Sequence, residues 1–131
     1  MNVKRQVEYW SKTATDDLET AQIIYNAGKN YHHCLFFCHL VLEKGLKANV
    51  AKATAKIPPR IHNLILLAEK AKLELSDEQT DLLTLMNTFN IEGRYPDMQY
   101  QIYKSATKSL TKKLLNKTKE QFKWMEKLAK S

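Results

Sequence analysis

Three observations predict an all-α protein, an up-and-down antiparallel helical bundle of four to five helices. Apolar residues recur at three- and four-residue steps along most of the chain, the spacing of a helix with one buried face. Gly and Pro number three each in 131 residues, too few for a loop-rich β-protein or a disordered chain. No run alternates apolar and polar residues over the length of a strand. Connections are short, so neighbouring helices are expected to be mostly antiparallel within a single domain over residues 1–131.

The first helix is carried by Val3, Val7, Trp10, Ala14, Leu18, Ala21 and Ile24 on one stripe. Gly28-Lys29-Asn30 ends it, because Gly accepts the left-handed conformation of a helix stop. A second helix runs from about Tyr31 to about Thr54. Its middle, Cys34 to Leu42, is apolar nearly all round and belongs at the centre of the bundle. Gly45 within it costs roughly 1 kcal/mol against Ala, which implies close approach by a neighbouring helix. Pro58-Pro59 forbids continuation. A short third helix begins near His62 and carries Leu64, Leu67, Ala68 and Ala71. Ser76-Asp77-Glu78-Gln79 has the form of a capping box and opens a fourth, with Leu82, Leu83, Leu85, Met86 and Phe89. Asn90 to about Tyr103, with Gly93 and Pro96, reads as an ordered, irregular connection, a place to look for function. In the last helix Ala106, Leu110, Leu114, Phe122, Trp124, Met125 and Leu128 share a face. Lysines 108, 112, 113, 119, 123, 127 and 130 fall opposite.

The net charge of +7 is unevenly placed. Residues 1–103 balance 12 basic against 12 acidic side chains, and the excess comes from nine Lys against Glu120 and Glu126 in residues 104–131. That face is read as solvated or partner-steering. The alternative is a nucleic-acid-binding module using the Lys-rich last helix, but no aromatics share the face of the lysines, Phe122 and Trp124 falling on the core side, and no base-reading cluster of Arg and Asn is present. The longest uncharged apolar stretch is too short to span a bilayer, and no secretory leader is seen. Two Cys make no disulfide framework. A cytoplasmic protein without membrane association is expected.

Catalytic motifs are missing: there is no Gly-rich phosphate loop, no Ser-His-Asp order and no Cys nucleophile motif. Cys34 and Cys38 with His39, His32 and His33 lack the paired spacing of a zinc site, and both thiols are expected to pack as small apolar groups. No metal and no cofactor are expected. His39, amid apolar neighbours, needs a hydrogen-bond partner or a cavity. Two charged concentrations remain. Glu43-Lys44-Gly45-Leu46-Lys47-Ala48 follows the apolar run on the central helix, with Glu43 and Lys47 four apart. Arg94-Tyr95-Pro96-Asp97 combines a guanidinium suited to a phosphate or carboxylate with a ring that can stack. Arg94 could equally tie to Glu43 or another acid.

Together these pieces resemble the HEPN domain family. The matching features are Asp16-Asp17-Leu18-Glu19-Thr20-Ala21 on the first helix, the Tyr31-led second helix ending in Glu43 to Ala48, His62 with Leu64 and Leu67, and Arg94-Tyr95-Pro96-Asp97. The resemblance implies a helical bundle that usually homodimerises, of prokaryotic source, often paired with a minimal nucleotidyltransferase. In that setting the HEPN chain is regarded as a nucleotide- or substrate-binding subunit, or as half of a toxin–antitoxin pair. Ligand-binding positions carried over are Glu43, Lys44, Lys47, His62, Arg94, Tyr95 and Asp97. Ribonuclease members use an Arg, a spacer of about four to six residues and a His. Arg5, Arg60 and Arg94 are the only arginines, and none has that partner; His62 lies only two past Arg60. His39-Leu40 also departs from relatives, which tend to carry Gln there. A non-catalytic nucleotide- or substrate-binding partner of a nucleotidyltransferase is therefore expected. The alternative is an RNA-directed ribonuclease or toxin, in which Arg94 and His62 act together.

Overall fold

The computed structural model describes residues 2–91 and 94–131, so Gly93 lies outside the described residues. Helices run α1 Val3–Asn26, α2 Tyr31–Thr54, α3 Leu64–Lys70, α4 Asp77–Met86, a 3₁₀ turn Asn87–Phe89, α5 Pro96–Ser105 and α6 Lys108–Ala129. The chain is all-α, and no strand occurs among the described residues. Six α-helices lie among the described residues, above the expected four to five. The extra member is α5, inside the stretch expected to be irregular. Pro96 at its first turn needs no amide partner and is preset in φ, so it starts this helix rather than breaking one.

Local signals act where the sequence puts them. Gly28 has φ +75°, the left-handed stop after α1. Asn30 and Ala55 also adopt positive φ, at the start and end of α2. Ser76 accepts from the Gln79 N–H, and Gln79 Oε1 accepts from the Ser76 N–H, which completes the capping box.

The long helices α1, α2 and α6 form the frame. Lys44 meets Asp17 and Lys47 meets Trp10, so α1 and α2 are antiparallel. Lys119 reaches Gln22 while Ala129 packs with Val7, so α1 and α6 are antiparallel too. Consequently α2 and α6 run in the same direction, and α3, α4 and α5 form the return between them. Gly45 lies on that parallel seam. A Cβ there would stand 3.0 Å from Met125 Sδ and 3.2 Å from a Phe122 ring carbon. Asn49 Nδ2 stitches the same seam by donating to the carbonyls of Gly45 and Met125.

Leu35, Leu42, Leu46, Leu64, Leu67, Leu83, Leu114 and Leu115 are fully buried in the main core. Cys34 and Cys38 are in it as well. The hydrogen bond to Cys34, together with burial, pushes the Cys38 thiol well above its usual range, so it packs as an apolar group. On α6 the buried face also takes Thr111, Leu115, Thr118 and Gln121, which the apolar pattern did not mark. Six of the seven lysines assigned to the opposite face are exposed; Lys119 is half-buried on Gln22. Among the described residues no helix is long and apolar enough to cross a membrane.

Candidate functional site

Glu43 stands midway along α2 and is 4% exposed. A carboxylate so placed must be fully partnered. Lys47, one turn on and also buried, donates Nζ to Glu43 Oε2 at 3.1 Å. His62 donates Nδ1–H to Glu43 Oε1 at 2.9 Å. Its Nε2, the other ring nitrogen, then lies on the outer edge of a ring whose side chain is 63% exposed. Lys47 Nζ also sits 5.3 Å from the Trp10 ring centroid, a cation–π contact on the α1 side.

His39, fully buried one turn before Glu43, closes the network. Its Nε2–H donates to the His62 backbone carbonyl at 3.2 Å, and its Nδ1 faces Glu43 Oε1 at 4.0 Å. A carbonyl only accepts, so the proton belongs on Nε2. Burial lowers the His39 pKa below its ordinary value, against the opposing pull of Glu43. A neutral His39 thus pins the backbone of His62, and Glu43 orients the His62 ring.

His62 faces a groove of about 220 Å³ lined with Asn63, Asn87, Asn90 and Arg94. The residues come from three places: the lead-in to α3, the end of α4, and the segment before α5. Asn63 caps α3, accepting from the Ile65 and Leu66 amides, while Asn87 accepts from the Leu64 amide. Arg94 is held by donating Nε–H to the Asn90 carbonyl at 3.2 Å and Nη2–H to that of Asn87 at 3.4 Å. The rest of its guanidinium has no partner among the described residues. A wall of amides with one guanidinium and one imidazole edge suits a small anion, above all a phosphate.

The residues singled out from sequence therefore divide. His62 and Arg94 share the groove, although 31 positions separate them in the chain. Glu43 contributes from behind, through His62. Lys47 is committed to Glu43 and Trp10, and Lys44 to Asp17 at 2.7 Å. No Arg94–Glu43 tie forms among the described residues; Arg94 binds backbone carbonyls instead. Tyr95 is 82% exposed, and Asp97 is exposed in the first turn of α5. Asn63, Asn87 and Asn90 were missed. Asn63 before the apolar Leu64–Leu67 run is a readable N-cap signal, but nothing in the sequence aligns it with Asn87 and Asn90.

A family model described as HEPN domain matches residues 7–128. No curated protein and no solved structure matches the chain. The match covers nearly all of the sequence, and the all-helical bundle agrees with it; the chain belongs to the HEPN domain family.

Proposed function

We propose that this HEPN chain is a non-catalytic binding subunit that holds the phosphate of a nucleotide in the Arg94 groove. The observation that carries this reading is the convergence of Arg94, His62 and three Asn side chains on one small polar groove. Arg94 supplies charge and forked donors, the Asn amides supply neutral donors, and Glu43 fixes the His62 ring. The buried Glu43–Lys47 pair is part of the support and takes no ligand. Titration of ATP and GTP by calorimetry tests the reading. Saturable heat is expected, with affinity reduced in Arg94→Ala; no binding up to millimolar nucleotide overturns it.

The chain acts as a homodimer in this reading and serves a minimal nucleotidyltransferase, in a toxin–antitoxin-like setting or otherwise. Light scattering at micromolar concentration reads the first point, and a monomer contradicts it. Co-purification of the tagged protein from its own host reads the second.

One observation favours a second reading, an RNA-directed ribonuclease. Glu43 holds His62 Nδ1 as a carboxylate holds a general base, and Arg94 lines the same groove. The spaced Arg and His of ribonuclease members is nevertheless absent from the sequence. Incubation with total RNA decides: cleavage lost in both His62→Ala and Arg94→Ala establishes this reading, and intact RNA retires it.

A further inference from the structure

A second pocket, of about 420 Å³, is lined by His32, His33, Ile91, Pro96, Gln99, Tyr100 and Tyr103. The two pockets are neighbours in the chain. Asn90 lines the groove and Ile91 lines this one; Arg94 lines the groove and Pro96 this one.

Its walls are mostly rings. Tyr100 and Tyr103, one turn apart on α5, have centroids 6.1 Å apart and planes only 14° from parallel. His32 meets Tyr103 edge-on at 4.9 Å, and His33 lies 4.0 Å from His32. Both tyrosines are more than half exposed. Lys104 Nζ stands 4.8 Å from the Tyr100 centroid, so a positive charge borders the aromatic faces. Hydrogen-bonding capacity is also left over. Gln99 donates through Nε2 to the carbonyls of Ile91 and Arg94, which fixes its amide and leaves Oε1 as an acceptor. His32 Nδ1 is shielded from solvent and has no partner among the described residues.

We infer that this pocket is a nucleobase site, in which the planar ring of a nucleotide stacks on Tyr103 and Tyr100 beside Lys104. Flat aromatic faces accept any base, and the cation complements the phosphate side. Gln99 Oε1 supplies a polar contact to the rim of the base. The inference rests on the nucleotide reading of the Arg94 groove for its ligand class and adds where the base goes.

The test separates base from phosphate. Adenosine, which lacks phosphate, and ribose 5-phosphate, which lacks a base, are titrated into wild type, Tyr103→Ala, Tyr103→Phe and Arg94→Ala. Adenosine binding is expected in wild type and in Arg94→Ala, weakened about five- to 150-fold in Tyr103→Ala, and restored in Tyr103→Phe. Tyr103 is 54% exposed, so the variants are expected to keep the wild-type circular dichroism spectrum. Adenosine binding that ignores Tyr103→Ala, or no adenosine binding at all, overturns the base site. Ribose 5-phosphate binding that depends on Arg94 but not on Tyr103 would uphold the groove at the same time, so the two readings fail separately. Loss of self-association in Tyr103→Ala with adenosine binding unchanged would make the rings a contact between copies of the chain, and overturns the inference as well.

Discussion

Glu43 on α2 is 4% exposed, and its oxygens are taken by Lys47 and His62; Tyr95 ahead of α5 is 82% exposed, and the α5 rings face outward. The two regions were equally marked in the sequence as concentrations of functional residue types. Their surroundings separate them. α2 is covered by α1, α3 and α6, so a charge on it survives only as a member of a closed network. α5 buries little beyond Ile102, so its side chains contribute little to stability and stay free to meet a ligand. The buried charges thus hold the scaffold and aim His62 outward, while the face near Arg94 stays open to solvent. Substitutions should separate these roles cleanly, large on stability in one region and small in the other.

The largest expected effect is at Glu43. Glu43→Ala strands the buried Lys47 and frees His62, and should destabilise by about 3–5 kcal/mol in urea unfolding. A loss under about 1 kcal/mol would mean that Glu43 is not the hub of the network. Next is the parallel seam. Gly45→Leu drives a side chain into Met125 and Phe122 and should cost about 1–3 kcal/mol. Gly45→Ala should lie near zero, because about 1 kcal/mol of helix propensity offsets its tighter contact.

A smaller effect follows from His39. Its folded pKa is lowered from the model-compound value of 6.5, so the unfolded chain binds more protons in that range. Its contribution is complete above about pH 6.5 and is lost as the pH falls towards the folded pKa. Stability should therefore decline from pH 7 to pH 5, and His39→Gln should flatten part of that decline. His32, lowered in the same direction by burial and by His33, supplies a further part. An unchanged slope in His39→Gln would place the dependence elsewhere. The smallest effect on stability is at Arg94: Arg94→Ala should change unfolding by about 0.5 kcal/mol or less, while it weakens nucleotide binding. A large stability loss there would erase the contrast between the two regions.

Much of the fold was legible because its signals are local. The limits of α2, the Gly28 stop and the Ser76 capping box each depend on residues within one turn, and each stands where the sequence put it. Gly45 was readable too, since a glycine inside a central helix implies a close neighbour. What it could not name was the neighbour, Met125 and Phe122, because packing partners are distant in sequence. The α5 helix was missed because Gly93 and Pro96 are turn signals, and a Pro that ends one helix also starts another. On α6, Thr111, Thr118 and Gln121 were missed because burial on that face is set by how neighbouring helices pack on it, which admits polar side chains that no apolar pattern marks.

The sequence by itself determined the family, the helical class, the placement of most of the charge excess on α6, and the short list that included Glu43, His62 and Arg94. Those depend on composition, periodicity and motif order along the chain. Only the tertiary structure decided that Glu43 answers to Lys47 and His62 rather than to Arg94, and that His62 and Arg94 line one groove with three asparagines. The reason is geometric. A carboxylate on a covered helix takes the partners that its neighbours bring within about 3 Å, and those are chosen by how α2, the lead-in to α3 and the segment before α5 meet in space.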